Sequence, residues 1–192
     1  MKKTILVIGG TGVIGLSIID LFYKKGFNVI AAGLSKIQNI KSFNRKFSSK
    51  RSLLLNMELT KSSNVKKVVR ASVKKFKKID ALVNCAGIQF VMPIEKYPEK
   101  IWRQMMDINL TTPFLFTKEI LPIMRKYKWG RIVNIASSHG IIGSANKSAY
   151  TASKHGLVGL TKVTALETAE EPITCNSLCP GFVFTELIQD QI

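Results

Sequence analysis

The stretch "TILVIGGTGVIG" at residues 4–15 constrains the fold more than any other. An uncharged apolar run, short enough for one strand, breaks into Gly9, Gly10, Gly12 and Gly15. Ile14, Ile18 and Phe22 follow at i, i+4 and i+8, which gives the next segment one apolar helical face. Strand, glycine turn and helix in that order build an anion cradle. Glycine admits positive φ and lets backbone approach a phosphate, and the helix start offers free N–H groups and a positive dipole end. Two lysines before an apolar run also suit a secretory leader. Glycines this dense suit an h-region poorly, and no A-x-A cleavage pattern precedes Asp20 and Lys24. The segment is therefore expected to stay in the protein, to bind a nucleotide and to lie in a cytoplasmic chain.

The remainder alternates in the same manner. Residues 4–8, 28–32, 52–55, 80–85, 130–137 and 173–179 read as strands, nearly continuous in apolar character, as strands covered on both faces are. Helical patterns fall near 13–25, 61–77, 98–127 and 149–170, with Pro98 suited to a helix start and Gly26 to a helix end. This alternation predicts an α/β fold, a Rossmann-like doubly wound parallel sheet, with right-handed crossovers placing helices on both faces. No linker or internal repeat divides the chain, so residues 1–192 are expected to form a single domain.

Composition narrows the partners. Apolar residues make up 46% of the chain, and Lys+Arg exceed Asp+Glu by 29 to 12, a net charge of +17. Such a charge raises the question of a nucleic-acid or anionic-membrane partner. The basic residues are scattered along the sequence, however. The densest stretch, "KKVVRASVKKFKK" at 66–78, interleaves lysines with Val68, Val69, Val73 and Phe76 as an amphipathic helix with a solvated face. A lysine-biased surface is the favoured expectation, with no nucleic acid and no membrane partner. Cys85, Cys175 and Cys179 form no CxxC pair and accompany no histidine cluster, which points to reduced thiols and no metal.

The chemistry concentrates in "NIASSHGIIGSANKSAYTASKHG". Tyr150 and Lys154 stand at i, i+4 on one predicted helical face. A tyrosine with an ordinary pKa of about 10 is a poor base at neutral pH. A nearby ammonium favours the phenolate and makes it a usable acid–base group. Ser137, ending the fifth strand, can offer its hydroxyl to a substrate oxygen, at the strand ends where open α/β sheets bind ligands. Lys147 and His139 lie close enough in sequence to place donors beside an anionic group.

Taken together with "NCAG" at 84–87, Asn109 in "DINL" and "PGFVFT" at 180–185, these residues make the chain resemble the short-chain dehydrogenase/reductase family over nearly its whole length. "AGIQ", "ASSHG", "SANKSAYTASKHGLVGLTKVTALETA" and "NSLCPGFV" are similar to its branch of bacterial D-3-hydroxybutyrate dehydrogenases. The resemblance implies an NAD-dependent enzyme interconverting D-3-hydroxybutyrate and acetoacetate. Tyr150 would transfer the proton, Ser137 would steady the reacting oxygen, Lys154 would also bond the nicotinamide ribose, and Asn109 would help hold a relay water. The substrate carboxylate would meet Gln89, His139, Lys147 and Gln191. The cofactor would be held by Gly9, Thr11, Gly12, Ile14, Gly15, Leu34, Glu58, Leu59, Asn84, Ala86, Gly87, Pro180, Gly181, Val183 and Thr185. A homo-oligomer through the two long helices is implied as well.

Four departures qualify the resemblance. Val13 stands where the family usually has a glycine, with Gly12 one position earlier, so a shifted turn is expected. Cys85 replaces the second asparagine of NNAG, and a small effect on sheet packing is expected. "IAAGLSK" lacks the acidic residue that commonly holds the ribose 2′-hydroxyl, and Lys36 would tolerate a 2′-phosphate, so NADP stays open beside NAD. Finally, the resemblance implies a lid, a helix and a seventh strand beyond Ile192. The chain is expected to lack that last strand and lid, which leaves the sixth strand as an edge. The rival readings are an inactive remnant of such an enzyme, an NADPH-dependent acetoacetyl-CoA reductase and a basic nucleic-acid binder.

Overall fold

The computed structural model describes residues 2–181 and 183. Six strands, β1 (Thr4–Ile8), β2 (Asn28–Gly33), β3 (Ser52–Asn56), β4 (Ala81–Asn84), β5 (Gly130–Ile135) and β6 (Ile173–Leu178), alternate with helices. The helices are α1 (Val13–Lys24), α2 (Ile37–Lys46), α3 (Ser62–Phe76), α4 (Glu99–Met106), α5 (Thr112–Lys126) and α6 (Ser148–Glu167). All strand pairings are parallel, in the order β3-β2-β1-β4-β5-β6. The predicted doubly wound sheet is thus present, and β6 is an edge among the described residues.

Side chains alternate across each strand. Leu6, Ile8, Ile30, Leu82 and Ile132 face one layer with α3 and α5, whose Val65, Val68, Phe116, Ile120 and Met124 complete that core. Ile5, Val7, Val29 and Val83 face the other layer, against Ile19 of α1 and Phe43 of α2. Helices therefore cover both faces, which is why the central strands read as uninterrupted apolar runs.

Two elements differ from the sequence expectation. α2 lies in "IQNIKSFNRK", a mostly polar stretch; only Phe43 and the following Phe47 bury, at i, i+4. The single helix expected over 98–127 is divided by a π-helical turn at Asp107–Thr111, between α4 and α5. Such turns insert one residue into the hydrogen-bond ladder and are frequent at functional sites. This one carries the fully buried Asn109.

The strand order reverses direction at β1. Chain leaving β1 turns toward β2, and chain leaving β4 turns the other way, which opens a crevice at the strand C-terminal ends. Ile8 pairs with Asn84 there, so the glycine turn and the segment 84–87 flank one crevice.

Candidate active site

The glycine turn is built as its residues require. Gly9 has φ of 78°, and a Cβ there would lie 2.8 Å from the Ala86 backbone. Gly15 sits so tightly that a Cβ would collide with the Gly9 carbonyl, while a Cβ on Gly12 would meet its nearest neighbour at 3.4 Å. Gly9 thus brings the turn against Ala86, Gly15 lets α1 close on it, and Gly12 opens the helix start as its N-cap. Val13, on the solvent side at 54% exposure, makes no demand on the turn. The first helical bond runs from the Leu16 N–H to the Gly12 carbonyl, so the N–H groups of Val13, Ile14 and Gly15 point outward without intrahelical partners. These features fit a dinucleotide's pyrophosphate.

Past the end of β2, the Thr11 and Ser35 hydroxyls meet at 2.6 Å, and the Ser35 N–H donates to Asn56 Oδ1 at 2.8 Å. Ser35 and Asn56 escaped sequence reasoning because neither carries a charge; their position at the ends of adjacent strands was the available signal. Leu34 is 74% exposed beside them. Glu58 binds the Thr60 hydroxyl and Lys61, which hold its carboxyl below the ordinary range, with Thr60 the larger cause. Leu59 is buried, and its carbonyl accepts from Thr112.

Asn84 is buried and donates to Asn134 Oδ1 at 2.7 Å, and Asn134 donates in turn to Thr161 of α6 at 2.8 Å. That chain pins β4, β5 and α6 together beneath the crevice. Among the described residues, the Asn84 Oδ1 has no hydrogen-bond partner. Gly87 stands between the catalytic candidates: a Cβ there would lie 3.4 Å from Asn109 Oδ1 and 3.6 Å from Lys154 Nζ.

Ser137 caps a short 3-10 turn at Ser138–Gly140, accepting the His139 N–H at 3.2 Å, with His139 Nδ1 at 3.3 Å. The Ser138 N–H donates to the Pro180 carbonyl at 2.8 Å, which holds the chain after β6 against this turn. Tyr150 lies beside Ser137, and its ring meets His139 edge-on at 5.9 Å. Burial raises the Tyr150 phenol above its ordinary pKa, and the neighbouring Ser137 hydroxyl draws it back in part. Lys154 lies one turn along α6, 5.6 Å from the Tyr150 ring centre, and donates to the Ile135 carbonyl at 2.8 Å. Burial lowers its pKa to about 8. The expected lowering of Tyr150 by Lys154 is therefore replaced by the reverse ordering, because desolvation is the largest cause at each group.

Asn109 spends its side chain on structure. It accepts the Ile88 N–H at 2.9 Å and donates to the Ile88 carbonyl and to Ser153 Oγ at 3.0 and 3.1 Å. Gln89 follows Ile88 and is half-buried. Lys147 is the N-cap residue of α6 and faces His139, whose pKa is lowered by burial and then by the Lys147 charge. Gly181 and Val183 are exposed. Gln191 and Thr185 lie outside the described residues. A cleft of about 460 Å³ between the segment 94–103 and Ser148 contains none of Ser137, Tyr150 or Lys154. Among the described residues, no cluster of three or more metal-ligating side chains occurs, and no helix is long and apolar enough to cross a membrane.

Residues 3–191 match the short chain dehydrogenase family. A "D-beta-hydroxybutyrate dehydrogenase" of Cupriavidus necator is 42% identical over 191 residues, covering 99% of this chain and 74% of that protein. Among solved structures, an actinorhodin polyketide ketoreductase variant with NADPH superposes with a TM-score of 0.93 at 31% identity, covering 98% of this chain and 74% of that one. A 4-hydroxyisoleucine dehydrogenase complexed with NADH superposes at 0.86 with 30% identity, covering 99% and 80%. The chain, spanning about three quarters of the length of its dehydrogenase relative, belongs to the short-chain dehydrogenase family and is an oxidoreductase.

Proposed function

We propose that this chain interconverts D-3-hydroxybutyrate and acetoacetate with NAD. The observation that carries the reading is the placement of Ser137 beside Tyr150, with Lys154 one helical turn away. The name of the 42% identical relative supports the choice of substrate. The crowded Gly9–Ala86 approach and the open start of α1 suit a dinucleotide. A bound nicotinamide would supply the hydride acceptor and donor. Around it the residues of this chain divide the remaining work. The Tyr150 hydroxyl gives its proton to the carbonyl oxygen in reduction and regains it in oxidation. The Ser137 hydroxyl donates to that same oxygen, and the Lys154 ammonium stabilises the phenolate left behind. Asn109 fixes the floor of the site through Ile88 and Ser153. Gln89, His139 and Lys147 bind the carboxylate, with Gln191 as a fourth partner from outside the described residues.

The purified protein is expected to form NADH from D-3-hydroxybutyrate, and Tyr150→Phe to form none above background. Wild-type turnover no greater than the Tyr150→Phe control would end this reading. A melting temperature that rises with NAD would separate binding without turnover, the behaviour of an inactive remnant, from absence of a site.

A second reading, reduction of acetoacetyl-CoA with NADPH, is favoured by one observation: Ser35 and Lys36, rather than a carboxylate, follow β2. Comparing kcat/KM for free acid and thioester with each cofactor decides between the two. We further propose a homo-oligomer, supported by exposed Trp102, Phe114, Val163 and Leu166 on α4, α5 and α6. Light scattering on the intact protein measures its mass directly.

A further inference from the structure

Basic residues that are scattered in the sequence are gathered by the topology. Because all six strands are parallel, every segment that enters the sheet does so at one pole, opposite the crevice. Lys50, Lys25, Lys3, Lys77 and Lys128 precede β3, β2, β1, β4 and β5, which is the spatial order of those strands. All five lysines are exposed. Adjacent strands lie about 4.8 Å apart, so the row of strand entries that these lysines precede is roughly 20 Å long. Contacts tie its members together. Lys3 Nζ lies 4.1 Å over the Trp129 ring, and Arg131 is 4.6 Å from the same ring. The Tyr127 hydroxyl donates to the Lys77 carbonyl.

Two acidic groups are already engaged by other lysines. Asp80 is buried, accepts the Thr4 N–H and pairs with Lys78 at 2.7 Å. Asp20 is engaged by Lys24 and Lys46, both at 2.9 Å. The line ends at β6, where Glu170 and Glu171 replace the lysine and Glu171 pairs with Arg125.

Two members also hold strained backbone. Lys77 and Lys128 have φ of 72° and 49°, where glycine or asparagine is the ordinary choice. The helix dipole favours cations in the last turn of a helix. It does not account for Lys3 and Lys50, which lie outside helices, nor for left-handed lysines.

We propose that this pole is a docking surface for a nucleic-acid strand, its five lysines tracking successive phosphates along the strand entries of the sheet. A line of charge matches an extended polyanion better than a membrane plane. The surface lies at the opposite end of the strands from the dehydrogenase site, so the inference stands independently of the substrate.

The test is titration of the intact protein with a fluorescent oligothymidylate across a range of salt. Five contacts on a single strand predict a slope of log K against log salt of about −3.5. In the variant Lys3→Gln/Lys25→Gln/Lys77→Gly/Lys128→Gly the slope should fall to about −0.7. In the same variant the two glycine changes should hold or raise the melting temperature. A charge-matched control, Lys41→Gln/Lys96→Gln/Lys100→Gln/Lys162→Gln, should keep the wild-type slope. Equal loss in both variants would mean a diffuse response to net charge and would overturn the proposal. Binding to phosphatidylserine vesicles without binding to the oligonucleotide would overturn it equally.

Discussion

Asn109 Nδ2 donates to Ser153 Oγ at 3.1 Å, and Ser153 donates in turn to the Tyr150 carbonyl at 2.8 Å. One hydroxyl thereby joins the π-helical turn to the helical turn that carries Tyr150 and Lys154. Asn109→Ala strands the Ile88 N–H and carbonyl and is expected to cost roughly 2–3 kcal/mol of stability. Ser153→Ala leaves Asn109 its two bonds to Ile88 and is expected to cost about 1 kcal/mol. Because the pair shares one bond, the double variant should lose less than the sum, with a coupling of roughly 0.5–1 kcal/mol in urea unfolding. Additive losses would show that the two side chains act separately.

Lys154 couples stability to pH. Its folded pKa of about 8 lies below the ordinary lysine value of about 10.4, so the folded state sheds a proton that the unfolded state keeps. The burial penalty is therefore full at neutral pH. It is relieved as pH rises from about 8 through the unfolded value, a total of about 3 kcal/mol. Lys154→Met should be more stable than the wild type at pH 7, with the difference shrinking toward pH 10. A difference that stays constant with pH would contradict the linkage.

The strands and the glycine turn were legible because burial on both sheet faces leaves a mark in every residue: "TILVI", "NVIAA" and "ALVN" have few alternatives to a central strand. α2 was hidden because only Phe43 and Phe47 bury on it, and a lone apolar pair does not make a period. Tyr150 and Lys154 were legible through i, i+4 spacing, a local property. Ser153, Asn134, Ser35 and Asn56 were not. Each bonds to a residue on another element, and nothing in its own neighbourhood distinguishes it from any other small polar residue. The direction of the Tyr150 shift escaped for the same reason, since spacing gives the partner's distance and says nothing of how dry the site is.

The glycine turn should separate fold from binding. Gly9→Ala places a Cβ 2.8 Å from the Ala86 backbone at a φ of 78°, and is expected to cost roughly 1–3 kcal/mol as well as nucleotide affinity. Gly12→Ala has 3.4 Å of clearance and no positive φ, so it should fold with a loss below about 1 kcal/mol. Its methyl group projects at the helix start and should weaken NADH binding with stability nearly kept. Melting curves and NADH fluorescence titrations on both variants measure the two effects.

Tyr150 and Lys154 should titrate as a pair. Burial raises the phenol and lowers the ammonium to about 8, so the first proton leaves the pair near pH 8. The singly protonated pair has two forms, phenol with neutral amine or phenolate with ammonium, and the second is the base that oxidation needs. The rate of hydroxy-acid oxidation should therefore climb with pH and level off near 8, although a buried tyrosine alone would level off above 10. The reverse reduction draws on the fully protonated pair and should be fastest below pH 8 and fall above it. Lys154→Met removes the low-pKa partner and leaves the buried phenol to titrate by itself. Its residual oxidation should keep rising through pH 9 with no plateau near 8. A plateau at the same pH in both proteins would mean that the group near pH 8 is not Lys154, and that Tyr150 reaches its phenolate without help from the lysine.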